Sequence, residues 1–334
     1  MTDRVFIATT GNGLARASRA AGGQWQVATM LPGSDVRCLA VDPLNSKRVY
    51  AGTQGQGVLR SDDRGQTWHR AGRMGQIVKA IAASPIRQGT VYAGTKPAGM
   101  FVSHDAGATW AELTAFRRIP GRWLWLSPAE RPYIGYVQAI GLSPSHPQRL
   151  VVGIEAGATL LSDDGGQTWS GHRSGALRDC HTLTFHATQS DWVYAGGGGV
   201  AGWGACAFSR DGGRAWASSR AGLDRSYGWA VAADPARPEV WYLSAAPGAF
   251  KAHSENNAQA YIYRNEGTSW RRLAGGLPQP LDHMPYALLT ERDAPGQIYA
   301  GLSNGDIWQS GDYGDHWAQL PVSMGRIERS LIVL

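Results

Sequence analysis

Cysteine is nearly absent: Cys38, Cys180 and Cys206 are the only three in 334 residues. They stand too far apart for a disulfide framework or a zinc knuckle. They read as buried, reduced thiols, the pattern expected of a cytoplasmic protein. Charge is scarce too, at 17%, and the net charge of +6 comes from scattered Lys and Arg with no run of five. That distribution leaves no footprint for nucleic acid. No stretch approaches the roughly 18 apolar residues of a membrane helix, and the opening MTDRVFIATTGNG lacks the apolar core of a secretion signal. Neither nucleic acid nor membrane is therefore an expected partner. The glycine run at 196–199 precedes no helix pattern and no Gly-Lys-Ser/Thr, so a phosphate loop is excluded. No His-x-x-x-His pair or acidic cluster signals a metal, and no cofactor is expected.

Glycine (44) and tryptophan (14) are abundant instead, the profile of an all-β chain with many tight turns. One repeat accounts for both. SDDRGQTW (61–68), SHDAGATW (103–110), SDDGGQTW (162–169) and SRDGGRAW (209–216) share a pattern. SGDYGDHW (310–317) fits with His316 in place of Thr, YRNEGTSW (263–270) fits more loosely, and SRAAGGQW (18–25) is degenerate, with Ala20 replacing the Asp. The carboxylate should accept backbone N–H bonds inside a turn, Gly should supply positive φ, and Trp should bury beneath. That work is structural. A strand such as VYAGT (49–53, 91–95) or IYAGL (298–302) precedes each turn, and an apolar strand such as VRCLAVDP, VKAIAASP or VQAIGLSP comes before that. Each unit is thus four strands, A to D, with the box between C and D.

The phase of the repeat predicts how the chain ends meet. Residues 1–30 supply strands B, C and D, and 326–334 supply one more strand. Six complete units plus one shared between the termini predict a single seven-bladed β-propeller over 1–334, closed by the C-terminal strand and free of sheet edges. A monomer is expected.

With its boxes in place the chain resembles the Asp-box (BNR-repeat) propellers. These include sialidases, xyloglucan-cleaving glycoside hydrolases, sortilin-type receptors and the photosystem II assembly factor. The resemblance implies the fold across nearly the whole chain, and leaves glycan hydrolysis, peptide binding and assembly open on one scaffold. FRRIP, with Phe116, Arg118, Ile119 and Pro120, is similar to the motif carrying the first arginine of the sialidase triad. Here it follows the box ending at Trp110 instead of preceding the first box, and no matching tyrosine–glutamate motif is found.

In a propeller the boxes decorate one face, so a ligand belongs at the other, around the axis. Aligning the A strands places Arg37, Lys79, Gln138, His181, Trp229, Tyr286 and Arg329 at that end. Three permanent cations there favour an anionic partner such as a carboxylate, uronate or phosphate; a solvated channel is the plain alternative. Box tryptophans are spaced evenly except where 114–136 and 247–260 intervene, and both insertions map to the same face. Trp123, Trp125, Tyr133, Tyr136 and Trp203 are candidate platforms for sugar rings. Acid–base candidates are Asp179 with His181, Asp282 with His283, His253 with Glu255, Tyr286, Glu155, Asp35 and Glu328. Taken singly, each also reads as a solvated loop residue or turn cap. The expected function is binding of an anionic, carbohydrate-like small molecule, with glycoside hydrolase or uronate lyase chemistry open. The alternatives are a protein-binding scaffold and a sialidase-like hydrolase.

Overall fold

The structure is a computed structural model that describes residues 4–20, 22–198, 204–218 and 220–334. Helix among the described residues is limited to short turns at Thr114–Arg118, Arg122–Leu124 and Ala249–Ala252. The rest of the regular structure is antiparallel sheet, in which strands adjacent along the chain pair within each sheet. Val36–Asp42 opens one four-stranded sheet, Ile77–Ala83 a second and Pro285–Glu291 a third, while Val137–Leu142 opens a sheet of three. Asp179–Phe185 and Tyr227–Ala233 each open a further set, and a single pairing of Gly198 with Tyr227 joins the two sets. Val5–Thr9, Leu14–Arg19 and Trp25–Met30 form a sheet with the C-terminal strand Leu331–Val333, in the register Phe6 to Val333 and Ile7 to Ile332. The fold is all-β and propeller-like.

The opening strands lie beside one another in chain order, from Val36–Asp42 through to Pro285–Glu291. Leu331–Val333 touches both of these end members. The Tyr-Ala-Gly strands explain the spacing. Tyr50, Tyr194 and Tyr299 are fully buried between sheets, and the glycine makes room for the neighbouring opening strand. A Cβ on Gly94 would stand 2.3 Å from Val137 Cγ1, and one on Gly52 would stand 2.6 Å from Val78 Cγ1. No larger residue fits that seam without moving a sheet.

The box works as its residue types require. Asp63 Oδ1 accepts the N–H groups of Gln66 and Thr67 at 2.9 Å each, and Oδ2 accepts the Thr67 hydroxyl at 2.6 Å. Ser61 adds a bond that pattern reading missed: its hydroxyl donates to Asp63 Oδ1 at 2.7 Å and accepts the Gly65 N–H at 2.8 Å. The tryptophan then donates to the box glycine carbonyl, at 3.1 Å from Trp68 and 2.9 Å from Trp216. After the degenerate box, Trp25 Nε1 is buried with no partner among the described residues.

These bonds carry a pH signature. Asp105 is held at about 2, against an ordinary 3.8, first by the Thr109 hydroxyl and then by the Thr109 N–H and the Ser103 hydroxyl. Asp63 and Asp312 also lie at about 2, because the same kind of bonds outweighs their small burial cost. A depressed carboxyl stabilises the fold fully above its unfolded value and loses that contribution as pH falls toward its folded value. Thermal stability should therefore drop between about pH 4 and pH 2. Asp164→Ala should cost about 1–2 kcal/mol at neutral pH and flatten that drop, read by denaturant melts at several pH values. A variant as stable as the parent would show the box bonds to be energetically idle.

Candidate functional site

Six opening strands share one irregularity. Their register slips between Val36 and Cys38, Val78 and Ala80, Val137 and Ala139, Cys180 and Thr182, Gly228 and Val231, and Pro285 and Ala287. The residues left unpaired include Arg37, Lys79, Gln138, His181, Trp229 and Tyr286, the same six that strand alignment assigned to the axis. A bulge frees a residue from the ladder and re-aims its side chain. Arg329 lies just before Leu331–Val333 and completes the series.

The cations converge on one carboxylate. Glu130, from the 114–136 insertion, accepts from Lys79 Nζ at 2.6 Å and Arg37 Nη1 at 3.0 Å, and lies 3.3 Å from Lys96 Nζ. Lys79 and Lys96 are buried, and their ammonium groups stand 4.2 and 5.7 Å from the Tyr136 ring centroid. Burial opposes ionisation of Glu130, but Lys79, Arg37 and Lys96 hold it at about 2. Lys79 is pushed down to about 8, by burial first and then by the charge of Arg329. Arg37 and Lys79, expected to favour an anionic ligand, are already paired with a carboxylate of the chain itself. Charges buried this deeply need a counter-ion, and Glu130 supplies it; Arg37 also bonds Asp35 and Gln54. The guanidinium of Arg329 has no hydrogen bond or ion pair among the described residues.

A second group lies beside the first. The donor atoms of Glu155, Asp179 and His181 all lie within 4.8 Å of one another. Burial raises Glu155 to about 7, and no described residue donates a hydrogen bond to its carboxylate. Burial alone would lower His181, but Asp179 outweighs it and the imidazole is raised; Asp179 is lowered in turn, against its own burial. Asp179 fits because Gly198 has no side chain: a Cβ there would lie 2.1 Å from Asp179 Oδ2. Gly198 is thus a packing device.

Aromatic rings wall this group. His181 stands 4.5 Å from Trp229 and 4.9 Å from Tyr227, centroid to centroid, and Trp229 stands 5.1 Å from Tyr286. His253, delivered by the 247–260 insertion, bridges the Tyr227 and Tyr286 hydroxyls at 3.0 and 2.7 Å.

Other candidates fall elsewhere. Trp125 is buried against Phe116, at 5.9 Å between centroids, so it is core and not a platform. Phe116 and Ile119 of FRRIP are buried too. Trp123 and Tyr133 are exposed on the insertion, at 78% and 52%. The Asp282 carbonyl accepts the Ala258 N–H at 2.8 Å and so pins the second insertion. No hydrogen bond or ion pair among the described residues ties the Asp282 or His283 side chain to the cluster. Gln138 is half-buried, and Trp203 lies outside the described residues. Glu130, Lys96 and Tyr227 were not anticipated.

Known proteins share the repeat and the fold. The BNR/Asp-box repeat model matches residues 59–70 and 160–170, which hold the boxes of Asp63 and Asp164. The chain carries BNR/Asp-box repeats. No curated protein matches it. Among solved structures, a GH74 xyloglucanase from Xanthomonas campestris is 18% identical, with a TM-score of 0.70 over 96% of this chain and 52% of its own. An ancestral GH74 enzyme is 18% identical, with a TM-score of 0.62 over 82% of this chain and 36% of its own. YCF48 bound to D1 peptide is 16% identical, with a TM-score of 0.59 over 91% of this chain and 88% of its own. This chain therefore spans about half or less of the GH74 chains, and what it shares with all three is a fold. No helix among the described residues of this Asp-box chain is long and apolar enough to cross a membrane.

Glu130→Gln should leave Lys79 and Lys96 without a counter-ion and Arg37 with Asp35 alone. We expect a loss of about 1–3 kcal/mol, discounted for the partial exposure of the carboxylate. Added acetate or sulfate should restore stability in the variant more than in the parent, read by thermal melts. A variant whose melting ignores anions would show that these cations form no anion seat.

Proposed function

We propose that this chain is a single seven-bladed β-propeller, closed by its last strand, that binds a carboxylate-bearing, carbohydrate-like small molecule at the axial end lined by the bulge residues. Closure is supported by the pairing of Leu331–Val333 with Val5–Thr9 and by its contacts with strands from opposite ends of the chain. The binding reading rests on one observation: the Arg329 guanidinium has no hydrogen bond or ion pair among the described residues, next to a cluster that already grips a carboxylate. A guanidinium in a partly desolvated site gains most from a bidentate carboxylate. The Trp229, Tyr227 and Tyr286 rings offer the flat apolar faces that a sugar stacks upon.

A second reading has its own support. Trp123, Leu124, Leu126, Tyr133 and Phe250 are exposed on the two insertions, which suits a peptide-gripping rim. YCF48, similar over most of both chains, is seen bound to D1 peptide. In that reading Arg329 would take an acidic side chain or a chain terminus.

Calorimetry separates the two. Oligouronates should bind and their neutral counterparts should not, and Arg329→Ala should weaken binding by about 1.5–3 kcal/mol, or roughly ten- to a hundred-fold. Chain-length analysis of the oligouronates then distinguishes binding from cleavage. Equal affinity for neutral and charged glycans, or an unaffected Arg329→Ala, would remove the carboxylate reading. Binding confined to acidic peptides would favour the scaffold.

A further inference from the structure

Glu155, Asp179 and His181 pose a question that the cation cluster does not answer. A hydrogen bond of 2.8 Å joins His181 Nδ1 to the Gly228 carbonyl. A carbonyl only accepts, so Nδ1 carries a proton and Nε2 is the atom left for the two carboxylates. A bond of this kind, made by the ring nitrogen that faces away from the ion, commonly orients an imidazole for metal ligation. Asp179 is oriented as well: Oδ1 accepts the Ala156 N–H at 3.2 Å, and Oδ2 is directed at Nε2. Glu155 is 8% exposed, and no donor among the described residues reaches its carboxylate. His181 Nε2 and the two carboxylates thus face one another, and Glu155 has no donor of its own among the described residues.

We propose that these three residues bind a divalent first-row transition-metal ion. The spacing favours an ion over a shared proton. His181 Nε2 lies 3.4 Å from Asp179 Oδ2, whereas a charge-assisted hydrogen bond would draw the pair to about 2.7–2.9 Å. Two ligands at about 2.0–2.1 Å from a tetrahedral ion stand about 3.3–3.4 Å apart. An imidazolium bonded to Asp179 would also leave Glu155 unsatisfied, while a metal takes one atom from each residue. Two carboxylates and a neutral imidazole balance a divalent charge. The imidazole nitrogen selects zinc, manganese or iron over calcium and magnesium. Three protein ligands leave at least one position for water or a ligand oxygen.

The site does not depend on the carboxylate reading, because neither Arg329 nor Glu130 belongs to it. Metal-stripped protein should take up one zinc ion per chain in calorimetry, and cobalt should give the visible absorption of a low-symmetry nitrogen–oxygen site. Calcium should not compete. His181→Gln and the nearly isosteric Glu155→Gln should each weaken zinc binding at least about tenfold, with folding checked by circular dichroism. If folded wild type takes up no stoichiometric zinc, or if folded Glu155→Gln binds it as tightly as the parent, the site is overturned. That second variant keeps the test decisive even where His181→Gln fails to fold.

Discussion

Close contact between neighbouring sheets at the Tyr-Ala-Gly glycines is the constraint on which the axial site depends. With no Cβ on Gly52 or Gly94, each opening strand settles directly against the sheet before it. The opening strands can then crowd together, and crowding brings side chains from six different sheet segments within reach of one another. The box turns act at the far end of the same sheets, where Ser, Asp and Thr satisfy backbone groups that would otherwise need water. Anchored turns and a tight seam leave little freedom to the strands between them. The bulges then free one end of six opening strands from the ladder and re-aim the side chains there.

Electrostatics then decides what the ring can hold. Lys79 and Lys96 are too deeply buried to carry charge without a partner. The insertion at 114–136 provides one, and Glu130 sits where three cations meet. The remaining charge, Arg329, lies close enough to lower Lys79 and to favour ionised Glu155. One side of the axial site is therefore electropositive, and the other collects the Glu155, Asp179 and His181 acceptors behind aromatic rings. A ligand spanning the two sides would meet a guanidinium at one end and the aromatic wall at the other.

Periodic features were the ones legible in the sequence. Box residues, Tyr-Ala-Gly strands and ring positions recur at fixed offsets, and repetition reports backbone geometry directly. The unpaired positions at the start of six opening strands were legible because those strands slip at the same step. What stayed hidden lies in non-repeating segments or arises from pairing across the fold. Glu130 is one acid in a long loop, and nothing local says that it folds onto three cations. Trp125 looked like an exposed platform because an aromatic-rich loop has no period from which to read burial. Asp179 stands two residues from His181 and could be read with it, but Glu155 comes from a turn elsewhere in the chain, so no short motif announces its contact with that pair.

The central claim is that a ligand carboxylate pairs with Arg329 inside the axial site. A crystal structure of the chain with a bound oligouronate tests this most directly. The carboxylate should lie within hydrogen-bonding distance of the Arg329 guanidinium, with a sugar ring against Trp229 or Tyr227. A ligand seated on the box face, or one whose carboxylate points to solvent, would contradict it.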